Sequence, residues 1–78
     1  MPAMEPIKIA DIEKSRAEII RIEISEYKDR KYLNIRTWYK NDEGEYSPTK
    51  KGVALALDKI SDLKMAIEKA ENISQELS

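Results

Sequence analysis

The chain has 78 residues, a formal net charge of −1, and neither cysteine nor histidine. A chain of this length holds one domain with a modest core, which small proteins often supplement by oligomerisation. Without cysteine or histidine there are no disulfides, no thiolate or imidazole metal sites and no common general base, so we expect no enzyme activity, no bound metal and no cofactor.

The N-terminal stretch carries no recognisable export or membrane signal. No apolar run approaches the roughly 20 residues that a transmembrane helix needs, and residues 1–14 lack the basic and apolar regions of a signal peptide. We therefore expect an intracellular protein without membrane contact, placed in the cytoplasm or nucleoid if prokaryotic and in the nucleus if eukaryotic. Residues 1–6, which include two prolines, are expected to be disordered, and residues 7–78 to form one domain.

Residues 7–27 predict a short strand followed by a longer one. Apolar side chains at positions 7, 9 and 12 fit either a strand or a helical turn, and a strand is favoured. Residues 18–27 predict a strand in which Ile20, Ile22 and Ile24 form one face and Arg21, Glu23, Ser25 and Tyr27 form the other. This pattern is typical of a half-buried strand.

Two further strands are separated by polar turns. Residues 28–31 predict a hairpin turn, and residues 32–39 its antiparallel partner strand. Gly44 lies in the next turn, residues 41–45, where it is free to adopt a positive φ. Pro48 is expected to delay regular pairing of the fourth strand until about residue 49, and Gly52 to mark a bulge, a bend or a close backbone approach.

The final segment has the period of an amphipathic helix. One stripe collects Ile60, Leu63, Ile67, Ala70, Ile73 and Leu77. Asp58 or Ser61 is expected to cap the start of this helix through its side-chain oxygen. The helix should cover the apolar face of the sheet, and its length suggests that its far end meets another subunit.

The polar side of the predicted sheet combines aromatic rings with cations. Arg36 and Trp38 share one strand face, and the next strand brings Lys50 and Lys51 to the same region. Aromatic rings that stack on bases, beside cations that contact phosphates, are what single-stranded nucleic acid binding requires. The alternatives are a cross-strand ion pair between Arg36 and Glu23, and edge-strand lysines that discourage aggregation.

Four segments of the sequence together resemble a known family. They are Glu26-Tyr27-Lys28, Asn34-Ile35-Arg36, Glu43-Gly44-Glu45 and the run from Pro48 to Leu55, PTKKGVAL. From about residue 18 to residue 67 the chain resembles the single-stranded-DNA-binding domain of the transcriptional positive cofactor 4 family.

The resemblance implies an α+β fold: a curved four-stranded antiparallel sheet followed by one C-terminal helix, assembled as a homodimer. It implies binding of single-stranded or melted DNA, with RNA as a further candidate partner, and little sequence preference. The corresponding role is that of a transcriptional coactivator or regulator, or a factor in replication or repair. The alternative function is a protein-interaction adaptor of the transcription machinery that binds nucleic acid weakly.

The resemblance also implies the site residues. Tyr27 stands where the family has a stacking phenylalanine and Tyr39 where it has a stacking tryptophan, with Trp38 beside it. The expected nucleic-acid contacts are Tyr27, Lys28, Arg30, Arg36, Trp38, Tyr39, Lys50 and Lys51. Strand parity places Tyr39 on the inward side unless the strand bends after Arg36, whereas Trp38 has outward parity. Which of the two rings stacks therefore stays open.

Overall fold

The computed structural model describes residues 5–78. In chain order it contains β1 (Ile7–Glu13), β2 (Glu18–Tyr27), β3 (Arg30–Lys40), β4 (Tyr46–Ala56) and α1 (Ile60–Leu77). The strands form one open sheet in the order β1-β2-β3-β4, with each strand antiparallel to the next. This is the predicted fold: a four-stranded antiparallel sheet followed by a C-terminal helix. The disorder expected for residues 1–6 falls mainly on residues 1–4, which lie outside the described residues.

The ambiguous first segment is a strand. Ile7 pairs with Ile24 and Ile12 pairs with Ile20, so the apolar positions of β1 meet those of β2. The register shifts by one residue between Lys8 and Ala10. Because of this shift, Ile7 and Ile12 face the same side of the sheet although an odd number of positions separates them.

The β2–β3 hairpin is tighter than the predicted turn over residues 28–31. Tyr27 pairs with Arg30, so the loop consists of Lys28 and Asp29 alone, and Arg30 and Lys31 belong to β3. Both loop residues have positive φ, 50° for Lys28 and 65° for Asp29. A two-residue loop with this geometry matches the right-handed twist of the strands, which favours the shorter loop although neither of its residues is glycine.

The irregularity in β4 follows Pro48 and does not precede it. The expectation that pairing begins near residue 49 was wrong, because β4 starts at Tyr46 and Pro48 already pairs with Trp38. Between this pair and the pair Arg36–Gly52, β3 contributes one residue and β4 contributes three. The predicted bulge next to Gly52 is thus confirmed, and it contains Thr49, Lys50 and Lys51.

One face of the sheet is apolar and carries most of the isoleucines. Residues at equivalent register on three strands, such as Ile22 and Ile35 with Val53, line up across this face. Among the described residues, only two apolar side chains are buried: Leu33 on this face, at 8% exposure, and Ile19 on the opposite face, where it pairs with Trp38, at 7%. The isolated chain therefore leaves much of its apolar surface uncovered.

Helix α1 packs loosely on that face. Ile60 and Leu63 in its first turns are half-buried, and the rest of the helix is exposed. A gap of about 260 Å³ remains between the helix and the sheet residues Ile22, Leu33 and Ile35. The predicted cap was wrong: a 3₁₀ turn over residues 57–59 leads into α1, and Lys59 at its start makes no side-chain cap. Within residues 5–78, no helix combines the length and apolar character needed to cross a bilayer.

Candidate nucleic-acid interface

The side of the sheet opposite the apolar face is termed the polar face. It consists of alternate side chains of the two central strands: Arg21, Glu23, Ser25 and Tyr27 from β2, and Arg30, Tyr32, Asn34, Arg36 and Trp38 from β3. The two sets lie opposite each other, because Tyr27 pairs with Arg30 and Arg21 with Arg36. From Arg30 to Trp38 the face extends about 27 Å along β3 at the usual rise per strand residue.

The hairpin end of the polar face places an aromatic ring among cations. Tyr27 is 64% exposed, and Lys28 Nζ lies 5.3 Å from the centroid of its ring. Arg30 is directly opposite Tyr27 in the ladder. Three of the predicted contacts are therefore neighbours here, and the exposed ring offers a surface on which a base can stack.

Arg36, in the middle of the face, is bound to β4. Its Nη1 donates a hydrogen bond of 2.8 Å to the carbonyl oxygen of Thr49. Its cross-strand neighbour on β2 is Arg21, whereas Glu23 pairs with Asn34. The alternative interpretation of Arg36 as the directly opposed partner of Glu23 is therefore wrong, and the arginine instead braces the bulge.

Thr49 organises the bulge that carries Lys50 and Lys51. Its hydroxyl donates to the carbonyl oxygen of Thr37 at 2.7 Å and accepts from the amide of Lys51 at 3.2 Å. Together with the bond from Arg36, these contacts hold three consecutive residues of β4 away from regular pairing. Both lysines are exposed, and Lys51 immediately precedes Gly52, the residue that pairs with Arg36.

Gly52 is required where the bulge rejoins the ladder. A Cβ atom on Gly52 would lie 2.6 Å from the carbonyl oxygen of Ile35 and 2.8 Å from Cα of Arg36. Both distances are shorter than real Cβ contacts, and both involve the β3 backbone, which cannot move aside cheaply. The close backbone approach predicted from the sequence is confirmed.

Trp38, at the far end, is packed under an arginine. The Cζ atom of Arg21 lies 4.4 Å from the centroid of the Trp38 ring and 5.7 Å from that of Tyr46, both within cation–π range. Trp38 Nε1 is buried without a hydrogen-bond partner among the described residues. One face of the indole is therefore occupied by the guanidinium, which leaves less of Trp38 free for a base.

Asp11 fixes Arg21 in this position. Arg21 Nε and Nη2 donate to the two carboxylate oxygens at 2.8 and 3.1 Å. The hydrogen bond from Arg21 lowers the pKa of Asp11 below its ordinary value, and the same bond raises the pKa of Arg21. The pair therefore stays ionised at neutral pH, with the planar bidentate geometry that arginine favours.

Tyr39 lies on the opposite side of the sheet from Tyr27, Arg36 and Trp38. The β2–β3 ladder runs without a shift from Tyr27–Arg30 to Glu18–Tyr39, so the bend in β3 that would bring Tyr39 to the polar face is not present. Tyr39 is 48% exposed at the end of the apolar face. The register shift in this region belongs to β4.

The acidic turn between β3 and β4 is built around Asn41. Its Oδ1 accepts hydrogen bonds from the amides of Glu43 and Glu45, both at 2.9 Å. In the part of the chain that the structure describes, no cluster of three or more carboxylates or other ligating side chains is placed to hold a metal.

The family model of the transcriptional coactivator p15 (PC4) matches residues 14–66, which include the whole polar face. The chain belongs to this family. The PC4 family is a non-catalytic DNA-binding family known for single-stranded DNA binding and transcriptional coactivation. The resemblance inferred from the four sequence segments is thereby confirmed.

Solved structures agree with the PC4 assignment. A PC4 homolog from Burkholderia pseudomallei in an orthorhombic crystal form has a TM-score of 0.79 and 26% identity, covering 82% of this chain and 86% of the homolog. Its tetragonal form has a TM-score of 0.78 and 25% identity, covering 86% and 98%. The bacteriophage T5 homolog of the eukaryotic coactivator PC4, implicated in recombination-dependent DNA replication, shares the fold at a TM-score of 0.62 and 20% identity, covering 94% and 82%. No curated protein sequence matched significantly.

Sequence reasoning missed several residues of this PC4-type face. Thr49 belongs to the family-like segment from Pro48 to Leu55, but the sequence assigned it no role. Only the register shift reveals that it holds the bulge in place. Asp11 gave no signal, because its partner Arg21 is ten positions away on another strand. Tyr32 has the same outward parity as Arg30 and Arg36, so alternation could have assigned it to the polar face.

Proposed function

We propose that the chain binds single-stranded DNA as a homodimer, with little sequence preference, through the polar face. In this proposal Tyr27 stacks on a base and Trp38 is a further aromatic contact towards the far end, whereas Tyr39, on the opposite side of the sheet, takes no part in the polar-face site. Phosphates are contacted by Lys28, Arg30, Arg36, Lys50 and Lys51. The biological role is a coactivator or regulator of transcription, or a factor in replication or repair, wherever DNA is melted inside the cell.

The single observation that supports this proposal most strongly is the β4 bulge. A β-strand with regular pairing would place Lys50 and Lys51 on opposite sides of the sheet. The bulge interrupts this alternation, and Arg36 donates to its residue Thr49, so in this proposal Lys50 and Lys51 both act beside Arg36. Arg30 lies opposite Tyr27, and at the usual rise per strand residue Arg36 is about 20 Å further along β3. Cations spread over that distance suit a short stretch of backbone phosphates.

The proposal predicts a preference for single strands. Bases in duplex DNA are already stacked on one another, so they cannot lie on Tyr27, whereas the unpaired bases of a single strand can. Stacking contributes on the order of 1–3 kcal/mol per base, and phosphate contacts add a salt-dependent part. With four to six engaged cations, the slope of log K against log salt should be about −3 to −4.

The test compares two double variants of equal charge change. Lys50→Ala with Lys51→Ala removes the cations of the bulge, and Lys64→Ala with Lys69→Ala removes two lysines of α1. Anisotropy of a labelled oligothymidine, titrated at several salt concentrations, should show a weaker complex for the bulge variant and a slope reduced by about 1 to 1.5. The helix variant should bind like the wild type.

Two results would contradict the proposal. Equal binding of oligothymidine and of duplex DNA of the same charge would indicate a general electrostatic surface without stacking. Unchanged binding by the bulge variant would remove Lys50 and Lys51 from the site and favour the adaptor function instead.

A further inference from the structure

The polar face contains a recess that borders the proposed stacking residue Tyr27 and that none of the proposed cation contacts lines. It has a volume of about 400 Å³ and is lined by Ser25, Glu26, Tyr27, Tyr32, Asn34 and Ala54. The register explains how it forms: the short side chain of Ser25 lies opposite Tyr32, and Ala54 lies opposite Asn34. The small residues Ser25 and Ala54 therefore line the floor of the recess, and Tyr27 and Tyr32 line it beside them.

The floor of the recess carries a polar pair. Asn34 Nδ2 donates a hydrogen bond to Ser25 Oγ. In this arrangement the Asn34 carbonyl oxygen remains available as an acceptor, and the Ser25 hydroxyl proton remains available as a donor. The floor thus offers one acceptor and one donor on adjacent side chains, both of them half-buried.

Cations flank the recess on both sides along the strands. Lys28 and Arg30 lie at the hairpin end, next to Tyr27. Arg36 lies two residues beyond Asn34 on the same strand face. A strand whose phosphates contact both groups would carry its sugar and base across the recess between them.

We propose that this recess seats one unstacked base of the bound strand, between the rings of Tyr27 and Tyr32, with its edge hydrogen-bonded to Asn34 and Ser25. The inference deepens the proposed function and rests on it. Each of the four bases presents a donor beside an acceptor on its Watson–Crick edge, so the seat accepts any of them, with modest differences in affinity. The seat provides affinity that depends on the base and not on salt.

The experiment compares oligothymidine with an abasic oligonucleotide of the same length and charge. Wild-type protein should bind oligothymidine more tightly. Tyr32→Leu keeps an apolar side chain but removes the ring, and Asn34→Ala removes the edge contact. Each variant should weaken oligothymidine binding about fivefold or more, leave the salt slope unchanged, and bind the abasic strand as the wild type does.

The Lys50→Ala, Lys51→Ala variant is the counterpart, and it should weaken both oligonucleotides to the same extent. If Tyr32→Leu and Asn34→Ala weaken both strands equally, or neither strand, the base seat is overturned while the proposed function stands. If the wild type binds neither strand, both proposals fail. Circular dichroism and thermal unfolding establish that each variant is folded, and Ser25→Ala provides a third, smaller change at the same floor.

Discussion

Arg21 and Arg36 lie directly opposite each other on β2 and β3, yet their guanidinium groups bind neighbours on opposite sides of this hairpin. Arg21 donates to the carboxylate of Asp11 on β1, and Arg36 donates to the carbonyl oxygen of Thr49 on β4. Like charges placed directly opposite in a sheet are destabilising unless they find other partners. Each arginine therefore ties one outer strand to the central hairpin.

The Asp11–Arg21 pair predicts a specific dependence of stability on pH. Because the pKa of Asp11 is lowered in the folded state, its contribution is fully present above the ordinary aspartate pKa of about 4 and is lost as the pH falls through the lower, folded-state value. Asp11→Asn should reduce the free energy of unfolding by about 0.5–1 kcal/mol at pH 7.

Urea unfolding of wild type and Asp11→Asn at pH 7, 5 and 3 checks this prediction. The difference between the two proteins should be equal at pH 7 and 5 and smaller at pH 3. A difference that stays constant down to pH 3 would mean that the carboxylate charge does not stabilise the fold.

The hydroxyl of Thr49 should be needed for both stability and binding. Thr49→Val removes the bonds to Thr37 and Lys51 while keeping the size of the side chain, and it should cost about 1–2 kcal/mol of unfolding free energy. Oligothymidine affinity should fall as well, because Lys50 and Lys51 lose their fixed positions. Thr49→Ser restores the hydroxyl and should recover both quantities. Equal loss in the serine and valine variants would refute this role.

Gly52 should not tolerate a side chain. Gly52→Ala forces Cβ against the β3 backbone, and we expect a loss of about 1–3 kcal/mol in chemical denaturation. Lys51→Ala, the preceding position, meets no such contact and should change stability by less than about 0.5 kcal/mol. If Gly52→Ala is as stable as Lys51→Ala, the close approach of the two strands is not maintained in solution.

Asp29 should be replaceable by glycine with a gain in stability. Its φ of 65° is unfavourable for any residue that carries a Cβ atom, because that atom crowds the backbone. Asp29→Gly should therefore raise the unfolding free energy by about 0.5 kcal/mol. Asp42→Gly removes the same charge from a turn residue without positive φ. It should be neutral or destabilising, because glycine increases the conformational entropy of the unfolded chain. Thermal unfolding of both variants decides the matter. A gain of equal size in both would point to charge instead of backbone strain.

The exposed stripe of α1 predicts that the proposed homodimer depends on the helix. Ile67 is 56% exposed beside the gap over the sheet, and Met65 is 69% exposed about 200° further round the helix. Ile67→Glu places a charge in the surface that a second copy would cover, and should yield monomers in analytical ultracentrifugation. Met65→Glu makes the same change on the other side of the helix and should stay dimeric. A wild-type mass equal to one chain would overturn the dimer.

Much of this molecule could be derived from local patterns in the sequence. The alternation of isoleucines with polar residues from Ile20 to Ser25 located β2, and the stripe from Ile60 to Leu77 located α1. Gly52 indicated the bulge because a glycine inside a strand implies an unusual backbone. These features are local: the face on which a residue lies depends only on the period of its own element.

Only the tertiary structure decided which residues meet across strands. The partners of Arg21 and Arg36, the role of Thr49 and the recess between Tyr27 and Tyr32 all depend on the register of neighbouring strands. The hairpin loop of two residues and the extra residues in β4 set that register, and a shift of one position would exchange every contact. The physical reason is that the alternation of side chains is determined by the sequence of a single strand, whereas the register depends on how two strands pair.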